Sequence, residues 1–245
     1  MNYNNMNKVI IILFSVFYLF FQNAQAQNEA AVIAGATAAA VVIGTGIAAV
    51  KQMEERAELN ATQWILLNNP ELTSFSLKTL SFDGKKVKDM SATSVITYKI
   101  QEFTPVEKPV LDGKKYVLFG FTSQGWINEW GIDFNKIQWF LIDDQEWLSM
   151  MTSYVKVSSG ESDENTLKVY LKQGKVVNNG VKVKGKLKIP FYKLTEDMYV
   201  VTDYSEDLRL VYNEKSLGIF LKKSSDLVQI GRGDMIDIHY FFFDN

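Results

Sequence analysis

Cysteine is absent from this 245-residue chain, and histidine occurs once, as His239. Without thiols there is no disulfide, no thiolate metal site, no cysteine nucleophile and no lipid attached through an N-terminal cysteine. A single imidazole excludes multi-histidine zinc sets, and any Ser-His-Asp triad would have to use His239 itself. Positive charge is not in excess either: 26 Lys and Arg stand against 28 Asp and Glu, a formal net charge of −2. That balance argues against a generally basic surface for nucleic acid while leaving room for a local basic patch. Phosphate-binding loops, dinucleotide fingerprints, EF-hand loops, metalloprotease motifs and a Gly-x-Ser-x-Gly nucleophile elbow are all missing. The sequence therefore points to no catalytic residue, no metal site, no cofactor and no nucleic-acid partner.

What is present begins with an export signal. Residues 1–26 contain one charge, Lys8, then an apolar run from Val9 to Phe21, then Ala24-Gln25-Ala26. A run of about 13 apolar residues followed by a small-x-small site is the pattern of a cleaved secretory signal peptide, too short to span a bilayer comfortably. The Asn-rich start and the Ala-Gln-Ala ending resemble signal peptides of Bacteroidota. Cleavage after Ala26 leaves a chain for the periplasm or the outer membrane.

Residues 27–69 form the second segment. Ala30 to Val50 is built of Ala, Gly, Thr, Val and Ile alone. Its length matches a bilayer span, but the Leu and Phe that usually drive insertion are lacking, so the expectation is passage through the translocon rather than arrest there. The alternative is an inner-membrane hairpin with a cytoplasmic domain. Ala31, Gly35 and Ala39 recur at i, i+4, as do Ala36, Ala40, Gly44 and Ala48; such small-residue ridges let helix backbones approach closely. The pattern is similar to the glycine-zipper helices of bacterial envelope proteins. Three interior glycines cost roughly 1 kcal/mol each relative to alanine, so packing must hold the helix: against a membrane or envelope protein partner, against further copies in a homo-oligomer, or within its own domain. Helix formers continue from Lys51 to Leu59, and Asn68, Asn69 and Pro70 stop the helix. A helix from Glu29 to Leu67 would be about 58 Å long, an anchor with a stalk.

From Leu72 the periodicity changes to alternation. Strands are expected at 72–82, 94–103, 116–121, 136–142, 166–174, 181–190, 198–204, 208–212, 217–221, 227–230 and 236–242. Turn signals separate them at Asp83-Gly84, Asp112-Gly113, Asn179-Gly180 and Gly231-Arg232-Gly233. The expected fold is mainly β with a long N-terminal helix, α+β overall, with an antiparallel sandwich or barrel-like domain over residues 70–245.

Two clusters within that domain suggest binding. Around Asn179-Gly180 an expected hairpin carries Lys182, Lys184, Lys186 and Lys188 opposite Val181, Val183, Leu187 and Ile189, with Lys168 and Lys172 across the turn. Such a face would contact an anionic glycolipid, an anionic polysaccharide or an acidic protein; solvated lysines also keep sheet edges from pairing. Trp126, Trp130, Trp139 and Trp147 form the second cluster. Trp126 and Trp130 are the candidates for stacking on a glycan, whereas Asp143 and Glu146 fit a capping box opening a helix that buries Trp147, Met151 and Tyr154. His239, two residues after Asp237, lacks a nucleophile partner. Arg232-Gly233-Asp234 is more simply a turn than an adhesion tripeptide. The ending Tyr240 to Phe243 is similar to the C-terminal signal of outer-membrane barrels, but Asp244-Asn245 breaks it. Together these features imply a non-enzymatic envelope protein with a structural or assembly role, the alternative being a glycan- or anionic-ligand-binding module.

Overall fold

A computed structural model describes residues 47–82, 92–128, 130–191, 200–212 and 216–244. Ala31, Gly35, Ala36, Ala39, Ala40 and Gly44 lie outside the described residues, as do the signal segment and the Asp83-Gly84 turn; Ala48 falls in a described helix, without its side chain. The chain divides into two compact units, Met1–Gln52 with Glu129–Gly131 and Met53–Asn128 with Ile132–Asn245. Of the first, only the start of a helix, Trp130 and Gly131 are described. The packing below is that of the second.

Helix α1 runs over Ile47–Asn68 and stops where the Asn-Asn-Pro run is expected to stop it. Its buried residues Met53, Ala57, Ala61 and Ile65 recur at every fourth position, one stripe of a 3.6-residue period. Among the described residues thirteen strands follow: β1 Phe75–Ser81, β2 Val95–Glu102, β3 Lys115–Thr122, β4 Ile127–Asn128, β5 Gly131–Ile132, β6 Ile137–Ile142, β7 Lys175–Val177, β8 Gly180–Val183, β9 Lys186–Pro190, β10 Val200–Asp203, β11 Leu208–Tyr212, β12 Ser216–Leu221 and β13 Asp226–Gly231. Helices α2 (Asp144–Ser159) and α3 (Glu164–Gln173) lie between β6 and β7, and α4 (Arg232–Phe243) follows β13.

Two four-stranded antiparallel sheets, ordered β1-β2-β3-β6 and β10-β11-β12-β13, and a three-stranded sheet, β7-β8-β9, dominate the described residues. The result is α+β, and none of these sheets closes into a barrel. Alternation gives the first sheet two buried faces. Val95, Val117, Phe119, Phe121 and Ile142 enter a core shared with α2, α3, α4 and the second sheet. Ile96, Tyr98, Ile100 and Leu118 are buried on the opposite face. Thr79 donates to Glu58 and Trp139 Nε1 donates to Asn60 Oδ1 at 3.2 Å, which ties α1 to that opposite face. Trp139 pairs with Gly120 across β3 and β6, and a Cβ on Gly120 would lie 2.6 Å from the indole Cζ3. Glycine there lets the ring lie flat on the sheet.

Two expected strands are helices. Of the strand expected at 166–174, residues 166–173 belong to α3, which opens with Asp163 accepting from Asn165 N and Thr166 N, buries Leu167 and Leu171 and ends at its C-cap Gly174. Residues 236–242 belong to α4, which buries Met235, Ile238, His239 and Phe242. Spacings of three and four decide both: the apolar residues reach one core from one helical face, and that burial outweighs the strand preference of the Val, Ile, Tyr and Phe around them.

Candidate functional site

The basic cluster is built on a hairpin, but not the expected one. Asn178 and Asn179 form the first turn, with Val177 paired to Gly180; Gly180 has φ +152°, and a Cβ there would meet Ile189 O at 2.2 Å. The lysine stretch then folds back on itself, β8 against β9, about Lys184 (φ 50°) and Gly185 (φ 78°). Two successive left-handed residues match the twist of the strands they connect. Val181 and Ile189 are buried, while Lys182, Lys184, Lys186 and Lys188 are exposed. Lys168 and Lys172 are not on a facing strand; they lie one turn apart on α3, Lys168 half-buried and Lys172 exposed. The single flat ladder of the sequence reading becomes a four-lysine hairpin and a separate helical pair. None of the four hairpin lysines forms an ion pair with a carboxylate among the described residues.

The tryptophans separate by exposure. Trp126 is buried, donates Nε1 to Ala92 O at 3.0 Å and meets the Phe82 ring edge-on; it presents no open face to a sugar. Trp130 is 65% exposed. Trp147 is fully buried in α2, with Met151 and Tyr154. Asp143 caps that helix, accepting from Gln145 N and Glu146 N, whereas the Glu146 carboxylate accepts from Tyr204 Oη at 2.6 Å. Burial, then that carboxylate, pushes the Tyr204 phenol up.

His239 is interior. Trp147 Nε1 lies 3.2 Å from Nδ1 and Leu171 O lies 2.9 Å from Nε2, which fits the tautomer accepting at Nδ1 and donating at Nε2. Burial lowers its pKa from 6.5 to about 4, against the opposing pull of the Leu171 and Gly174 backbone. Asp237 is exposed and makes no contact with the ring among the hydrogen bonds described. Among the described residues no group of three or more His, Asp or Glu side chains is arranged to hold a metal ion, and no helix is long and apolar enough to cross a membrane.

Open grooves among the described residues include two of similar size. One of about 700 Å³ is lined by Gln101, Lys115, Tyr116, Asp143, Asp144 and Phe242 among others; burial and then Glu102 push the Tyr116 phenol up. Nearby, Lys99 and Lys115 stand over the Phe241 ring at 5.5 and 5.6 Å from its centroid. A second groove, about 600 Å³, lies between α1 and β6 and includes Trp64, Leu67, Gln138, Trp139 and Phe140. The sequence reading passed over Trp64 and Leu67. Their signal was a helix whose last turns put large apolar residues off the buried stripe of Ala57, Ala61 and Ile65.

Comparison of the chain with protein-family models, with curated proteins and with solved structures gives no match in any of the three. Assignment of a site rests on the chain's own geometry.

Proposed function

We propose that this is an exported, non-enzymatic cell-envelope protein that acts by contact: residues 30–50 dock the chain to a membrane or an envelope partner, and the β-rich domain presents the β8-β9 hairpin to an anionic glycolipid surface. The observation that carries the reading is the clustering of Lys182, Lys184, Lys186 and Lys188 around one two-residue tip. All four are exposed and none is paired with a carboxylate among the described residues. In a chain of net charge −2 such a tip is a local positive field, able to reach phosphates that the rest of the surface does not attract. Buried Val181 and Ile189 anchor the hairpin in the core, so the tip meets a surface without loss of structure behind it. Contact rather than catalysis is supported by His239, which uses both ring nitrogens inside the fold. The layered, sandwich-like body of residues 70–245 serves as the rigid support.

Co-sedimentation with vesicles containing a phosphorylated glycolipid tests this. The full chain is expected to bind in low salt and to dissociate as salt screens the lysines. Lys184→Glu with Lys186→Glu should abolish binding without lowering the melting temperature; binding that survives the double substitution removes the hairpin from the account.

A further inference from the structure

Sheet edges are guarded in natural proteins because their unpaired N–H and C=O groups invite another strand; charges, prolines and bulges are the usual guards. Most edges of this fold have them. In the first sheet, outer strand β1 carries Lys78 and a register shift between Thr79 and Ser81. In the second sheet β10 carries Asp203 and β13 carries Asp226. The small sheet ends on β7 with Lys175 and on β9 with Lys186, Lys188 and Pro190. Strand β6 differs. It reads Ile-Gln-Trp-Phe-Leu-Ile, without charge or proline. Its register with β3 runs unbroken from Thr122↔Ile137 to Val117↔Ile142, and β3 is its sole neighbour in the sheet among the described residues.

The groove beside β6 lies along that edge. It is lined by four consecutive residues, Ile137, Gln138, Trp139 and Phe140. Consecutive residues of a strand point to opposite faces, so a cavity touching all four runs along the backbone and not over one face. Half-burial of Gln138, Trp139, Phe140 and Leu141 alike fits a strand open at its side. Across the groove α1 offers Trp64 and Leu67, the latter 81% exposed. Further along, Asp207 and Lys223 pair at 3.1 Å and neutralise each other, leaving no net charge to select an ion.

We propose that the free edge of β6 is a docking site for an extended peptide segment of a partner protein, added as a further strand of the first sheet with its apolar side chains against Trp64 and Leu67. In an antiparallel edge alternate residues turn their N–H and C=O outward, and a polypeptide strand is the occupant that matches such a row; side-chain pockets then set specificity. A sugar would use the aromatic rings and amides of the groove and leave the backbone row unmatched. The site is separate from the lysine hairpin and does not rest on the function proposed for it.

An eight-residue peptide alternating leucine and threonine, titrated against the full chain by fluorescence anisotropy, is the probe. Saturable binding is expected, with slowed amide hydrogen exchange at alternate residues of β6. N-methylation of one alternate set of peptide amides should weaken binding at least tenfold, and methylation of the other set should leave it nearly unchanged. Gln138→Lys, which restores a guard at a half-buried position, should also weaken binding tenfold while Lys184→Glu with Lys186→Glu leaves it intact. Absence of peptide binding, or equal effects of the two methylation patterns, overturns the proposal. So does saturable binding of chitotetraose that is lost in Trp64→Ala, which would make a sugar the occupant. Protection of β6 in the peptide-free chain that rises with protein concentration would make it a second copy.

Discussion

His239, the chain's single histidine, serves the packing of the fold. Its ring lies between Trp147 and the Leu171 carbonyl, and burial favours the neutral form. Titrating near 6.5 when unfolded and at about 4 in the fold, it makes the unfolded chain bind more protons between those pH values. Its contribution is therefore complete above pH 6.5 and is lost as pH falls toward 4, at most about 3 kcal/mol. Urea unfolding of the natural chain and of His239→Gln at pH 7.5 and pH 4.5 isolates this part: the difference in stability between the two proteins should change with pH in that direction, and a pH-independent difference contradicts the assignment. Gly120 is the second residue with a measurable role. Gly120→Ala puts a methyl group 2.6 Å from Trp139 Cζ3, so the ring must move off its bed and strain its bond to Asn60. The expected cost is about 1–3 kcal/mol, read as a lower melting temperature.

Among the elements, α2 is legible in the sequence. Asp143 and Glu146 stood at the spacing of a helix start, and Asp143 does cap the helix over Trp147, Met151 and Tyr154. Asp143→Ala should lower stability by about 1 kcal/mol in a denaturant titration, with no change of fold. The strand at 208–212 coincides with β11, and those at 94–103, 136–142, 217–221 and 227–230 differ from their observed counterparts by a residue or so at the ends. Periodicity and turn residues carry enough information there because a short alternating run bounded by turn residues fixes the extent of a strand locally, whatever its neighbours in the sheet. Elements α3 and α4 depart from the strands that their sequences suggest, for a definable reason. Thr-Leu-Lys-Val-Tyr-Leu-Lys satisfies both a period of two and a spacing of four, and local preference cannot choose; exposure of Val169 with burial of Leu167 and Leu171 shows that the core chose. In α4 the aromatic run after Asp237 favours a strand locally, yet Met235, Ile238 and Phe242 reach the core from one helical face. Likewise the Asn179-Gly180 signal was real but displaced by one residue: glycine is required by its φ at the start of β8, and the turn itself is Asn178-Asn179.

At the scale of the molecule, the α+β layout could be anticipated from a helical segment followed by alternating ones, but the relation between the sheets could not. Sequence alternation tells which residues face inward, not which sheet they face. For the same reason the edge of β6 was invisible: a strand becomes an edge through the order β1-β2-β3-β6, a long-range fact that Ile137–Ile142 does not encode. The lysines were visible as residues, whereas their arrangement on a hairpin tip depends on the turn at Lys184-Gly185. On this account the molecule carries two separate contact surfaces, one cationic and one offering a bare backbone edge, on a body whose single histidine is sealed inside.

The proposed function requires that the hairpin lysines, rather than the surface charge in general, meet the anionic partner. Lysine acetylation footprinting of the full chain, with and without phosphorylated-glycolipid vesicles, measures that directly. Strong protection of Lys182, Lys184, Lys186 and Lys188, with Lys156 and Lys223 modified at unchanged rates, is the result predicted. Equal protection of all exposed lysines, or none at the hairpin, would contradict it.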